Sequence, residues 1–179
     1  MQNSSSPNLL WFALQVKPRR EKVISTILRN KGFEQFLPVY ESRRVWSDRI
    51  ATVEVPLFPG YVFCRFDPER PRLPVITTPG VISVVGVAGQ PAAIPEHELD
   101  AIQTILRSGK AAQPWPYLEI GHRVRIERGS LAGVEGILVE AKKQHRVVVS
   151  VTLLQRSVAV EVEREWIIPC ANSNRWRLG

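Results

Sequence analysis

The chain has 179 residues, 44% of them hydrophobic and 23% charged, which is ordinary for a soluble globular protein of one domain or two small ones. Its 24 Lys and Arg against 17 Asp and Glu give a net charge of +7. That charge favours a polyanionic partner, although many basic proteins simply have a solvated surface. No window approaches about 18 consecutive apolar residues, which excludes a membrane-spanning helix. Two cysteines without a Cys-x-x-Cys pair exclude a disulfide framework and indicate no metal or redox site.

Residues 1–8 are polar and are expected to form a disordered tail. They have neither a basic nor an apolar segment, so we expect no signal peptide and a cytoplasmic protein. The charge is uneven: residues 17–49 contain nine Lys and Arg against four Asp and Glu, whereas residues 50–107 contain four against six. A basic surface is therefore expected near the N-terminal end of the first domain.

The apolar run at residues 9–16 predicts a strand, and Pro18 predicts the start of a helix that runs to Lys31. The helix has one apolar stripe, formed by Val23, Ile24, Ile27 and Leu28. Its first turn is crowded with cations, which oppose the helix dipole. These cations are Lys17, Arg19, Arg20 and Lys22. Their placement indicates either a contact with a polyanion or chance at solvent-exposed positions.

Residues 33–40 and 50–55 predict two strands that pair around a turn at Ser47 and Asp48. The tip of this hairpin carries Arg43, Arg44, Trp46 and Arg49. Arginine can contact phosphate and tryptophan can stack on a base, so the tip is a candidate nucleic-acid contact. A merely solvated tip is the alternative.

Residues 61–66 predict a strand that places Tyr61, Phe63 and Arg65 on one face. Pro56 and Pro59 lack N–H donors and suit the entry to a strand. If the opposite face lines the core, the face of Tyr61 and Phe63 presents aromatic rings to a partner. The alternative is that both faces are buried, and an exposed ring surface is the condition on which the docking hypothesis rests.

Residues 70–74 predict a loop, residues 81–87 a strand, and Pro95 the start of a second helix. The apolar positions of that helix follow helical spacing; they are Leu99, Ile102, Ile105 and Leu106. The first domain is thus predicted as an α/β sandwich over residues 9–107, with a mostly antiparallel sheet flanked by helices.

Residues 108–117 have the composition of a linker. Beyond it, residues 118–170 alternate like short strands: 123–127, 137–140, 146–151, 157–162 and a last one at Trp166. Five short strands in so small a domain favour a closed, SH3-like barrel. Residues 171–179 form a C-terminal tail. The predicted fold class is therefore α+β, with an all-β second domain.

An enzyme is not indicated. His97, His122 and His145 are scattered, and no H-E-x-x-H, G-x-S-x-G or phosphate-binding glycine loop is present. No cofactor is expected. An RNA- or ribosome-binding module is a second alternative, through the basic residues of the second domain. Those are Arg123, Arg125, Arg128, Lys142, Lys143 and Arg146.

Two groups of motifs together resemble the NusG family of transcription elongation factors. The first group is WFALQVKPRREK at 11–22, FLP at 36–38, PLFPGYVF at 56–63 and TPGV at 78–81. The second is GHRVRIERGSLAGVEGI at 121–137, which resembles a KOW motif. Within the family, WSDR at 46–49, VEVPLFP at 53–59 and FDPE at 66–69 are more similar to the specialised, operon-specific RfaH and UpxY types than to the general factor.

The resemblance implies an N-terminal domain that docks on the clamp helices of RNA polymerase, with the matched positions Trp11, Phe58, Pro59, Tyr61 and Phe63. It implies a second polymerase contact at Arg70, Arg72 and Leu73. It also places six cations near the non-template DNA strand: Lys17, Arg19, Arg20, Arg43, Arg44 and Arg49. Binding both sides of the cleft would hold the clamp closed and disfavour pausing.

For the second domain the resemblance implies a partner such as Rho or a ribosomal protein. A candidate surface is Leu131, Val134, Leu153 and Leu154, which alternatively form core. Refolding of the barrel into helices, as in RfaH, is disfavoured here by the β-branched runs at 147–151 and 158–162. The expected function is antitermination on particular operons by a monomer that binds no membrane, with a general NusG-type factor as the alternative.

Overall fold

The computed structural model describes residues 8–45, 49–70, 72–118, 121–141 and 144–170. The chain divides into two compact units between Glu96 and His97. Within the described residues no helix is long and apolar enough to cross a membrane. The predicted tail at 171–179, nearly all of the tail at 1–8, and the hairpin residue Trp46 lie outside the described residues.

The first unit is built on a four-stranded antiparallel sheet with the order β2-β5-β1-β6. Its strands are β1 (Leu10–Val16), β2 (Glu34–Phe36), β5 (Tyr61–Phe66) and β6 (Val81–Val84). Strand β1 lies in the middle, as its apolar sequence predicts, and pairs with β5 from Leu10↔Phe66 to Gln15↔Tyr61. The predicted strand at 33–40 is interrupted before Pro38, and the predicted strand at 81–87 ends at Val84.

Helix α1 (Glu21–Asn30) covers one face of this sheet. Its Ile24 and Leu28 pack with Phe12, Leu14, Val62, Cys64 and Phe66 in a single buried cluster. The predicted start at Pro18 is wrong by three residues, because Arg19 has a φ of 65°, outside the helical region. Val23 of the predicted apolar stripe is exposed.

A separate two-stranded ribbon is formed by β3 (Val39–Val45) and β4 (Ile50–Pro56), which pair over their whole length. The predicted hairpin is present, but its first strand is predicted at 33–40 and instead runs from 39 to 45, so Arg43 and Arg44 lie within β3 and not in the loop. A short helix, α2 (Leu73–Ile76), replaces part of the predicted loop at 70–74. The small hairpin of β7 (Gly86–Val87) and β8 (Gln90–Pro91) then leads to Ile94, whose N–H donates to the Trp11 carbonyl at 2.8 Å.

The second unit contains most of helix α3 (Glu96–Arg107) and a six-stranded antiparallel sheet of order β14-β10-β11-β12-β13-β9. The strands are β9 (Ala112–Trp115), β10 (His122–Ile126), β11 (Glu135–Ala141), β12 (Gln144–Val151), β13 (Arg156–Val162) and β14 (Ile167–Pro169). All five predicted strands are present within a few residues. Their inward side chains form a core that includes Val124, Ile126, Val147, Val149, Val158 and Val160.

The boundary between the units differs from the predicted one. The sequence predicts helix α3 as part of the first domain, yet residues 97–107 belong to the second unit. There the buried Glu98 carboxylate accepts hydrogen bonds from the Thr152 backbone N–H at 3.1 Å and its hydroxyl at 2.7 Å. The predicted linker contains strand β9, which pairs with β13 through Ala112, Gln113, Pro114 and Trp115. Pro114 is tolerated because β9 is the end strand of the sheet.

Candidate protein-docking and nucleic-acid interface

A tight turn at Pro59 and Gly60 joins the ribbon to strand β5. The Tyr61 N–H donates to the Phe58 carbonyl at 3.1 Å, and Gly60 has a φ of 85°. Proline followed by a glycine with positive φ is the pattern of a type II turn. Pro59 is exposed at the apex, so the turn presents a rigid apolar surface.

The aromatic rings behind this turn are buried, contrary to the expectation of an open ring surface. Phe63 and Phe58 are 0% and 1% exposed, and their rings meet edge to face with centroids 5.6 Å apart. Phe36 stacks on Phe63 from the neighbouring strand at 6.1 Å. Mutual packing of three rings therefore removes Phe58 and Phe63 from solvent. The expectation of an exposed ring surface is wrong, and of the four rings expected there (Trp11, Phe58, Tyr61 and Phe63) Tyr61 alone stays partly accessible.

Trp11 is also buried, at 4% exposed, although it was expected among the open rings. Its ring lies beneath the Arg65 guanidinium, 5.8 Å from ring centre to Cζ. Arg65 is held there by ion pairs with Glu34 at 3.4 Å and Glu96 at 3.1 Å. Strand alternation identified the face correctly, but it did not reveal these covering groups.

An accessible row remains at the other end of the same face. Cross-strand pairing places Gln15 between Tyr61 on β5 and Ser83 on β6. Gln15 and Ser83 are exposed and hydrogen-bonded to each other at 3.2 Å, and Tyr61 is half-buried. We call Pro59, Tyr61, Gln15 and Ser83 the open strip. The docking residues predicted from the sequence include Pro59 and Tyr61 but neither Gln15 nor Ser83, since neither has an apolar or charged side chain.

The predicted cations before and within the first turn of α1 surround the start of the helix. Lys17, Arg19 and Arg20 are exposed, and Lys17 is anchored through its N–H to the Gly80 carbonyl at 2.8 Å. Lys17 comes directly after β1, two residues beyond Gln15 of the open strip. The cations that precede α1 therefore lie close in the chain to the open strip.

The ribbon adds three exposed arginines, with Arg43 and Arg44 on β3 and Arg49 directly before β4. Glu41 and Glu54 pair across the two strands of the ribbon. Alternation places Arg43 on the same ribbon face as this pair and Arg44 on the opposite face. An ion pair between Lys22 and Glu54 connects the first of these faces with α1.

Near the tip, Val45 and Ile50 form an exposed cross-strand pair, 82% and 70% accessible. Trp46, predicted at the tip, lies outside the described residues.

The predicted second contact surrounds α2. Leu73 is exposed, Arg70 is exposed and paired with Asp67 at 3.4 Å, and Arg72 is half-buried. Ile76 follows Leu73 by one helical turn and is also exposed. The sequence-based list missed Ile76 because residues 70–74 were interpreted as a loop.

In the second unit the candidate partner surface is only partly accessible. Leu131 and Val134 are 0% and 3% exposed and belong to the core, so the expectation that they form a surface is wrong. Leu131 lies on the 3₁₀ turn Gly129–Leu131, which directs its side chain inward. Leu153 and Leu154 lie on a second 3₁₀ turn and are half-buried.

Two of the basic residues that would form an RNA-binding surface are occupied by ion pairs: Arg125 pairs with Glu135, and Arg146 pairs with Glu161. Lys142 and Lys143 lie outside the described residues.

The described residues contain no group of three His, Cys, Asp or Glu side chains that could hold a metal ion. His145 lies 3.4 Å from Glu140, and His97 and His122 are exposed. Cys64 is fully buried in the core, and burial, with a smaller effect of Glu34, raises the pKa of its thiol to about 12. Cys64 therefore packs as a small buried residue in the core of the first unit.

Comparison with known proteins gives one family. The family model described as NusG, transcription termination factor nusG, matches residues 9–103. Among curated relatives, the transcription termination/antitermination protein NusG of Vibrio vulnificus is 28% identical and covers 89% of this chain and 95% of its own. The protein of the same name from Pseudomonas aeruginosa is 32% identical, with coverages of 86% and 94%.

Among solved structures, one that describes domain interaction in Thermotoga maritima NusG matches with a TM-score of 0.55 at 17% identity. It covers 89% of this chain and 96% of its own. At this identity the likeness concerns the fold alone, and it agrees with the predicted α+β architecture.

Proposed function

The chain belongs to the NusG family of transcription termination/antitermination factors, and from that premise we propose that it binds RNA polymerase and promotes processive elongation on particular operons. The predicted family is confirmed. Members of this family are transcription factors and not enzymes, which agrees with the expectation from the sequence.

The observation that carries the proposal is the open strip beside the exposed cations of α1. The apex Pro59 and the ring of Tyr61 offer apolar area on a rigid turn, and Gln15 and Ser83 offer polar groups along the same row. Rigid aromatic anchors with a polar surround are the usual anatomy of an interface centre. The occupant we propose is the coiled coil of clamp helices. The buried rings of Trp11 and Phe63 continue the same sheet face beyond the strip, with Phe58 packed on Phe63.

The cations give this docking surface an adjacent polyanion site. Lys17, Arg19 and Arg20 are exposed near the open strip, and Arg43, Arg44 and Arg49 extend along the ribbon. We propose that they contact the phosphates of the non-template DNA strand, which is single-stranded in the transcription bubble. Such contacts are sensitive to salt and largely independent of sequence.

A second polymerase contact through Leu73 and Arg70, with Ile76 added, would place the chain across the main cleft. Leu73 and Ile76 form an exposed apolar pair one helical turn apart. Two contacts on opposite sides of a cleft favour the closed clamp over the open one, because the chain binds the closed state with both surfaces. No bond is made or broken in this mechanism.

For the second unit we propose recruitment of a further protein, Rho or a ribosomal protein, in the cytoplasm. The accessible part of the expected surface is Leu153 and Leu154. The resemblance of residues 46–49 and 53–59 to the RfaH and UpxY types supports a specialised factor over a general one. A general NusG-type factor is the second candidate, supported by the relatives of that name.

An elongation assay tests the core of the proposal. Purified RNA polymerase transcribes a template with a pause site and a terminator, with and without the full chain. We expect shorter pauses and more read-through with the chain present. Tyr61→Ala, which removes the half-buried ring of the open strip, should lose the effect, whereas Val87→Ala, which truncates an exposed side chain outside the strip, should keep it. No effect of the unaltered chain would refute the proposal.

A map of this protein along the transcribed genes of its cell distinguishes the two candidates. Occupancy confined to one or a few operons is expected for a specialised factor. Uniform occupancy would instead establish the general factor.

A further inference from the structure

The carboxylate of Glu21 is buried at the first residue of α1, with 5% of the residue exposed. Its Oε1 accepts a hydrogen bond from the Gly60 backbone N–H at 2.9 Å. The partner residue is 39 positions away, in the turn that carries Pro59. A buried carboxylate is costly unless hydrogen bonds compensate for the lost water, so this contact holds both groups in place.

The location at the helix start favours an acid at this position. The first turn of a helix has free N–H groups and a positive dipole end, which stabilise a carboxylate there. A hydrogen bond to a charged acceptor is about twice as strong as a neutral one. Glu21 is also the one acidic residue within residues 17–22, whose other five members are positively charged or proline.

The second backbone group of Gly60 is held as well. Its carbonyl accepts the Val16 N–H at 2.9 Å, at the end of β1. Gly60 is therefore fixed from two elements, the sheet through Val16 and the helix through Glu21. Because Pro59 and Tyr61 are its direct neighbours, these two bonds set the position of the apolar part of the open strip.

We propose that Glu21 is a positioning residue for docking: it locks the Pro59–Gly60 turn in the orientation that receives the partner. This inference rests on the proposed function, since it assigns a role within the same surface. It also has a consequence for DNA. Arg20 and Lys22 flank Glu21 at the start of α1, and Glu21 holds the Pro59–Gly60 turn. The residues proposed to contact DNA and those proposed to contact polymerase are therefore held at a fixed distance from each other.

The test uses the full chain with Glu21→Ala, Glu21→Gln and the control Ile24→Val. Glu21→Ala removes the acceptor, whereas Glu21→Gln keeps an oxygen of nearly the same position. Ile24→Val removes one methylene group from the buried cluster beneath the same helix, whereas the backbone bonds of Gly60 come from Glu21 and Val16. It therefore reproduces a general loss of stability without the loss of positioning.

Two readouts separate positioning from stability. Hydrogen exchange at the Gly60 amide, measured by NMR on the free chain, should accelerate at least about tenfold in Glu21→Ala and change little in Ile24→Val. Affinity for purified RNA polymerase should fall about tenfold in Glu21→Ala and recover to within about threefold of the unaltered chain in Glu21→Gln. Affinity for single-stranded DNA should not fall in any of these variants.

The proposal is overturned if Glu21→Ala leaves Gly60 exchange unchanged, or if it weakens polymerase binding no more than Ile24→Val does. If Glu21→Ala fails to fold, Glu21→Gln decides. Its neutral oxygen is a weaker acceptor, so Gly60 exchange should be faster than in the unaltered chain; unaltered exchange, or faster exchange with unaltered polymerase binding, contradicts the docking role. A chain that does not bind polymerase at all refutes the proposed function and the docking role. Accelerated Gly60 exchange in Glu21→Ala would even then show that Glu21 positions the turn.

Discussion

The Nζ of Lys22 lies 2.8 Å from Oε2 of Glu54, which connects the first turn of α1 with the ribbon. Both side chains are more than half exposed, so the pair contributes little to stability, on the order of 0–1 kcal/mol. Its importance is geometric. The pair brings the Arg43 face of the ribbon and the cations of α1 toward one common surface, and it occupies a lysine that would otherwise be available to phosphate.

Glu54→Gln should therefore strengthen binding to single-stranded DNA. The substitution releases Lys22, and each additional phosphate contact adds about 0.7 to the slope of log affinity against log salt. The measurement is a salt titration of oligonucleotide binding by fluorescence anisotropy.

Glu41→Gln is the matched control, because Glu41 lies directly opposite Glu54 on the same ribbon face. It removes the same charge without releasing Lys22, so affinity should rise slightly and the slope should stay unchanged. Equal slopes for Glu54→Gln and Glu41→Gln would contradict a shared surface of helix and ribbon.

Arg43→Ala should weaken DNA binding more than Arg44→Ala. Arg43 shares its ribbon face with Glu54 and is thereby turned toward α1, whereas Arg44 lies on the other face. We expect the salt slope to fall by about 0.7 for Arg43→Ala. Arg29→Ala, an exposed cation in the last turn of α1, serves as the control and should change little. A larger loss for Arg44 would place DNA on the opposite face.

The strands of both units could be predicted because their side chains alternate or form continuous apolar runs. Strand β5 begins and ends where Tyr61 and Phe66 indicated, whereas the first strand of the ribbon is predicted at 33–40 and lies at Val39–Val45. The helix start was missed because Pro18 is followed by Arg19 in a left-handed conformation. Backbone conformation of that kind leaves no signal in a pattern of apolar residues.

The candidate site could be predicted only in part. Pattern reasoning placed Tyr61 and Phe63 on one face, but exposure depends on residues distant in sequence. Phe36 and Phe58 cover Phe63, and Arg65 covers Trp11. Strand β9 was not predicted for a related reason. The proline-containing composition around Pro114 indicates a linker, and the strand is defined by its pairing with β13, which is distant in sequence.

Gly80→Ala should destabilise the first unit by about 2–5 kcal/mol. Gly80 has a φ of 97°, and an added Cβ would lie 2.8 Å from Cδ1 of Ile24 in the core. Positive φ costs a residue with a side chain about 1–2 kcal/mol, and overpacking adds about 1–3 kcal/mol. Urea denaturation of the full chain measures the loss.

Gly89→Ala isolates the backbone part of that loss. Gly89 has a φ of 78° with nothing within 4 Å of an added Cβ, so only about 1–2 kcal/mol is expected. If both variants lose the same free energy, the Ile24 side chain moves aside without cost and the packing part of the explanation is wrong.

Cys64 should make the folded chain less stable at alkaline pH. Burial raises the pKa of its thiol from 9.0 to about 12, so the unfolded chain releases this proton before the folded chain does. Stability from this group is complete below pH 9.0 and is lost as the pH rises toward 12. Urea denaturation at about pH 8 and about pH 10 should show a smaller loss for Cys64→Ala than for the unaltered chain.

Cys170→Ala is the control for that comparison, because it removes the other cysteine of the chain, which is only half-buried. Other groups titrate in the same range and affect all variants alike. If Cys64→Ala and the unaltered chain lose stability in parallel, the thiol is not the source of the alkaline sensitivity.

The most direct test is the affinity of the full chain for purified RNA polymerase, measured for the unaltered protein, Tyr61→Ala and Val87→Ala. The open strip predicts binding that weakens about tenfold or more in Tyr61→Ala, because an interface anchor contributes at least about 1.4 kcal/mol. Val87→Ala should stay within about twofold of the unaltered chain. Absence of binding, or Tyr61→Ala binding as tightly as the unaltered chain, would contradict the account.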